Sequence, residues 1–77
     1  MRDKLNIFIT ILEKRKMVEF YLYNVTYIIY IKDGKYIIRQ INSKFEYIYD
    51  DLKVLFVSYK IYGQTLLQCF NNIIIIT

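Results

Sequence analysis

The stretch that decides the fold is Tyr27–Ile41, YIIYIKDGKYIIRQI. Two apolar runs flank Asp33-Gly34, and a lysine stands on each side of that pair. A two-residue hairpin loop of type I′ needs positive φ at both central residues, which Asp and Gly tolerate. The runs are β-branched and aromatic, the side chains that pack well on a pleated sheet. Residues 27–41 are therefore expected to form a β-hairpin, with Tyr36–Ile41 as the returning strand.

Upstream, Met17–Ile31 reads as one long strand with a bend near Asn24. Period two places Tyr21, Tyr23, Val25, Tyr27, Ile29 and Ile31 on one face, with Phe20, Leu22, Asn24, Thr26, Ile28 and Tyr30 on the other. Glu13-Lys14-Arg15-Lys16 is a polar break suited to a hairpin loop. Before it, Leu5, Ile7, Ile9 and Ile11 alternate with Asn6, Phe8, Thr10 and Leu12, which predicts a first strand.

Downstream, Ser43-Lys44-Phe45-Glu46 fits a capping box, in which Ser and Glu side chains satisfy orphaned backbone amides at a helix start. Phe45, Ile48, Leu52, Leu55, Tyr59 and Tyr62 recur at spacings of three and four. Gly63 follows where a left-handed cap is wanted. A helix over 44–62 is expected. The same segment is rich in strand formers, and Gly63-Gln64 fits a type II′ hairpin loop. Thr65–Phe70 reads as a strand, Asn71-Asn72 as a turn and Ile73–Ile76 as a short closing strand. The expected fold is α+β, a small antiparallel sheet with one helix packed on it in the order β-β-β-α-β(-β). The alternative is a small all-β barrel.

Composition bounds function. At 77 residues the chain is read as one domain. A chain this short leaves little volume for a roomy cleft, because it buries only roughly 60% of its unfolded surface. It has no His, so the commonest general base and metal ligand is missing. One Cys excludes an internal disulfide framework and a cysteine-rich zinc site. The composition is lopsided: fifteen Ile, nine Tyr, two Gly and no Ala. Ile, Tyr, Asn, Lys and Phe have AT-rich codons, whereas Ala, Gly and Pro have GC-rich ones. An AT-rich gene is the simplest source, and so small a chain without a motif suggests a virus or other mobile element.

The longest nearly uncharged stretch, Phe20–Ile31, has twelve residues. A spanning helix needs about 20. Leu5–Leu12, flanked by Arg2 and Lys4, has some character of a signal peptide, but Glu13–Lys16 follows with no small-residue cleavage site. The expectation is a cytoplasmic protein (host cytoplasm if viral) with no membrane association.

No constellation of catalytic, cofactor-binding or metal-ligating residues emerges. Asp50-Asp51 are neighbours on the expected helix, about 100° apart, and read as a solvated face. Cys69 has no visible activating cation and reads as inert packing. Ser43 and Ser58 have no base to activate them, and the two glycines cannot build a phosphate loop.

What stands out is apolar surplus. On the expected helix, Tyr47, Val54, Val57 and Ile61 cluster opposite the main stripe, and Tyr21, Tyr23 and Tyr27 are expected on a second sheet face. Such surplus suits a second buried surface. A homodimer is expected, together with a host protein partner. The leading reading is a non-catalytic interaction protein that covers a surface of a host protein, for example by inhibiting a defence nuclease as anti-CRISPR proteins do. The alternative is a small nucleic-acid-binding regulator with contacts from Lys14, Arg15, Lys16, Lys32 and Lys35. Net charge is +4, and the first sixteen residues carry +3 of it. Against that reading, a straight strand over residues 17–31 would span roughly 50 Å and hold the two lysine-bearing loops at opposite ends.

Overall fold

A computed structural model describes residues 3–76. The chain is α+β: a five-stranded antiparallel sheet with helices packed on one face. The elements are α1 (Lys4–Arg15), β1 (Met17–Leu22), β2 (Val25–Lys32), β3 (Lys35–Gln40), β4 (Tyr47–Tyr49), α2 (Leu52–Ser58), β5 (Lys60–Ile61), β6 (Gln64–Thr65), α3 (Leu66–Cys69) and β7 (Ile74–Ile75). A 3-10 turn, Phe70–Asn72, links α3 to β7. The sheet order is β4-β3-β2-β1-β7, and β5-β6 form a separate two-stranded ribbon. The described chain forms no closed barrel.

The Asp33-Gly34 hairpin stands as read. Its φ values are +53 and +75, and Lys32 pairs with Lys35 across it. The closing strand at 73–76 also forms, as β7, and pairs with β1 through Phe20↔Ile75 and Tyr21↔Ile74.

Four expectations are corrected. The first strand is a helix. Asp3 caps α1 through its side chain on the Leu5 amide, Lys14 and Arg15 sit in the last turn, and Lys16 closes it at φ +64. Cations there suit the negative end of the helix dipole. The long strand over 17–31 is two strands, folded back at Tyr23-Asn24 with φ +50 and +67. The helix over 44–62 shrinks to α2, whose cap is Asp51, not Ser43. The Ser43 Oγ accepts from the Phe45 amide instead, an isolated turn, and Glu46 accepts from the Tyr30 hydroxyl. Thr65–Phe70 is mainly helical rather than a strand, because Thr65 and Gln68 form a capping box.

The core lies between the sheet and the helices. Phe8 is fully buried, with ring centroids 5.7 Å from Phe20, 5.8 Å from Phe56 and 5.3 Å from Phe70. Leu12, Val18, Leu22, Ile29, Ile38, Leu55 and Leu66 pack with them, as do Tyr27, Ile61, Cys69 and Ile73. The described core holds no buried polar side chain. The Lys4 ammonium reaches across from α1 to the carbonyls of Asn71 and Ile73, both at 2.9 Å, and so ties the first helix to the segment leading into β7.

Candidate functional site

The hairpin at Tyr23-Asn24 reverses face parity. Since Leu22 pairs with Val25, the core-facing positions are even in β1 and odd in β2. Tyr27 therefore points inward, 4% exposed, stacked on Phe20 at 5.3 Å. Tyr21 lies on the opposite, uncovered face. Tyr23 sits in the loop itself, where its ring meets that of Tyr62 and its hydroxyl accepts from the Asn72 amide at 3.0 Å. The three tyrosines expected on one surface thus occupy three environments.

The helical positions divide as well. Ile61 is in β5 and 5% exposed, part of the core. Tyr47 is in β4, half exposed, edge-on to Tyr59 at 5.3 Å. Val54 and Val57 are exposed on α2. Val57 borders a cleft of about 280 Å³ between α1, α2 and α3, lined by Leu5, Ile9, Leu52, Lys53, Phe56, Val57 and Leu67. Among the described residues, Lys53 is its one charged wall. Leu67 was hidden from sequence reasoning by the strand assignment of 65–70; the Thr65-x-x-Gln68 box could have revealed it.

The uncovered sheet face is the second apolar surface. Across the strands, one row runs Met17–Tyr30–Ile37–Ile48, the next Glu19–Ile28–Arg39, and a third Ile74–Tyr21–Thr26. Ile48 is 59% exposed and Ile74 62%. Ile28 and Ile37 are shielded by their neighbours but belong to no part of the main core.

The hairpin at Tyr23-Asn24 also changes the charge map. It returns β2 to the start of β1, where the Ile31 amide donates to the Lys16 carbonyl at 3.0 Å. Lys14, Arg15 and Lys16 therefore share one end of the sheet with Lys32 and Lys35, contrary to the expectation for a straight strand. Arg2 lies outside the described residues. Four carboxylates sit at the same end. The Lys35 ammonium pairs with Asp50 and holds that carboxyl below its usual range. Asp33 and Glu46 line a shallow hollow beside Lys32, and Glu13 is in the last turn of α1.

Burial pushes the Tyr59 phenol up to about 12, with Tyr27, Tyr47 and Tyr49 around it. Burial likewise raises the Cys69 thiol, which donates to the Thr65 carbonyl at 3.3 Å. A raised thiol pKa disfavours the nucleophilic thiolate. Among the described residues no three cysteine or carboxylate groups converge as metal ligands would, and no helix is long and apolar enough to cross a membrane. No protein-family model, curated protein or solved structure matches this chain.

Proposed function

We propose that this chain is a non-catalytic interaction protein, encoded by a virus or other mobile element, that acts in the host cytoplasm by covering a surface of a host protein. Inhibition of a defence nuclease is one concrete version. The observation that supports this reading is the cleft between the helices, walled by Leu5, Ile9, Leu52, Phe56, Val57 and Leu67. Desolvated apolar pockets that accept an anchoring side chain are where binding energy concentrates in protein interfaces. The test is affinity capture from lysate of the cells that carry the gene, with wild type, Val57→Lys and Leu67→Lys compared. A host protein retained by wild type should be lost with both substitutions at the cleft. Equal capture by all three would overturn the assignment.

A second reading, nucleic-acid binding, gains from one observation: Lys14, Arg15, Lys16, Lys32 and Lys35 gather at one end of the sheet. The carboxylates interleaved there weaken it, since phosphate affinity rests on uncompensated cations.

A further inference from the structure

We infer that a second copy of this chain seats on the uncovered sheet face, about a twofold axis that runs along β2. The inference does not depend on what the helical side binds. Monomers rarely expose contiguous apolar patches beyond a few hundred Å². Here β1, β2 and β3 with the short β4 and β7, at about 4.8 Å spacing and about 3.3 Å rise per residue, give a face on the order of 400 Å² in plan, with Met17, Tyr21, Ile48 and Ile74 as its exposed apolar side chains. Every described helix packs on the other side, and no described element lies over this face.

The charge pattern selects the occupant. Glu19 and Arg39 flank Ile28 in one cross-strand row, on β1 and β3. Glu19 forms no ion pair among the described residues, and Arg39 forms none directly, though it lies beside the Tyr30 hydroxyl that donates to Glu46. Glu19 is a half-buried carboxylate on an apolar face. The Arg39 guanidinium is held in place by donation to the carbonyls of Gln40, Ile41 and Ser43. The sheet order is symmetric about β2, with β1 and β3 as its neighbours. Rotation about an axis along β2 exchanges these two strands. It lays Glu19 of each copy over the partner subunit's Arg39, twice, and Met17 over the partner subunit's Ile37. Rotation about the perpendicular axis through Ile28 would lay Glu19 on its own copy and Arg39 on its own copy. Like charges in a desolvated interface oppose association strongly, so of these two arrangements the first is favoured. The face is thus self-complementary, which an arbitrary partner need not match.

Sedimentation of the full chain at micromolar concentration tests this. Wild type should sediment at twice the 9.5 kDa chain mass. Glu19→Arg alone and Arg39→Glu alone should each raise the dissociation constant at least about tenfold, the effect of 1.4 kcal/mol. Mixing those two variants should restore a dimer, because every introduced charge then meets its complement. Circular dichroism checks that each variant is folded. Should Arg39→Glu unfold by loss of its carbonyl contacts, Met17→Lys replaces it: it should dissociate the dimer, and Val57→Lys should not. A monomeric wild type, a mixture of folded variants that stays monomeric, or dissociation by Val57→Lys but not by Met17→Lys would each overturn the proposal.

Discussion

At the scale of single residues, three two-residue loops carry the topology. Tyr23-Asn24, Asp33-Gly34 and Tyr62-Gly63 each hold positive φ at both positions. That geometry matches the twist of the flanking strands. Gly34→Val should lower stability by at least about 1 kcal/mol, since a β-branched residue resists φ > 0. For a domain of this size that is a fall in Tm of about 4–8 °C, read by thermal melting. A Cβ added at Gly34 meets nothing within 4 Å, so the effect comes mainly from backbone strain at φ +75 rather than from clash. Capping offers a paired comparison. Asp51 accepts from the Val54 amide at 2.8 Å, so Asp51→Ala should cost on the order of 1 kcal/mol. Ser43→Ala should cost clearly less, because Ser43 starts no helix. The Asp33-Gly34 loop was legible because its chemistry is local. Tyr23-Asn24 was not: odd-numbered aromatic and apolar residues continue from Tyr21 through Ile31, so the alternation hides the turn. Only Asn24, a residue that tolerates the left-handed region, marked it.

At the scale of elements, α1 shows why periodicity alone misled. Leu5, Ile7, Ile9 and Ile11 satisfy a period of two, yet Leu5, Phe8 and Leu12 also satisfy helical spacing. Isoleucine favours the strand reading through its stiff χ1. Tertiary packing decided otherwise, because Phe8 and Leu12 fill the space between the sheet and α2. The cap at Asp3 and the cations at Lys14 and Arg15 were the visible signals for a helix. Phe8→Ala should therefore cost about 3–5 kcal/mol. Total stability at this length is on the order of 4–12 kcal/mol, so the variant should melt at least about 12 °C lower or fail to fold. A shift of a few degrees would mean α1 is peripheral. The tyrosines between β4 and α2 give a pH prediction. Burial raises the Tyr59 phenol from 10.0 to about 12, and those of Tyr27 and Tyr49 also rise. The folded state thus favours the neutral phenols. Their contribution is fully present below pH 10 and is lost as pH climbs toward 12. Alkaline titration followed by tyrosinate absorbance and circular dichroism should show unfolding in that window, and Tyr59→Phe should shift the transition upward.

At the scale of the whole molecule, the α+β class was legible from one hairpin and from the contrast between period-two and period-four segments. The arrangement of its surfaces was not. Which residues share an end of the sheet depends on whether residues 17–31 run straight or fold back, and a single two-residue loop settles it. That loop buries Tyr27, leaves Tyr21 on the open face and gathers five cations at one end. The result is a two-sided body: helices with an apolar cleft on one face, bare sheet on the other. A dimer through the bare faces would turn two such clefts outward. The gathered cations supply the remaining discriminating measurement. Binding that neutralises Z phosphates on duplex DNA falls with a log–log salt slope of about −0.9Z. Glu13, Asp33, Glu46 and Asp50 offset most of the charge at this end, with Asp50 already paired to Lys35. A protein-binding role therefore predicts a slope no steeper than about −2 on duplex DNA, which is about two net phosphate contacts. It also predicts little change on combined Lys14→Ala, Lys16→Ala and Lys32→Ala substitution. A slope of about −4 or steeper that flattens in the triple variant would instead make this end a nucleic-acid surface.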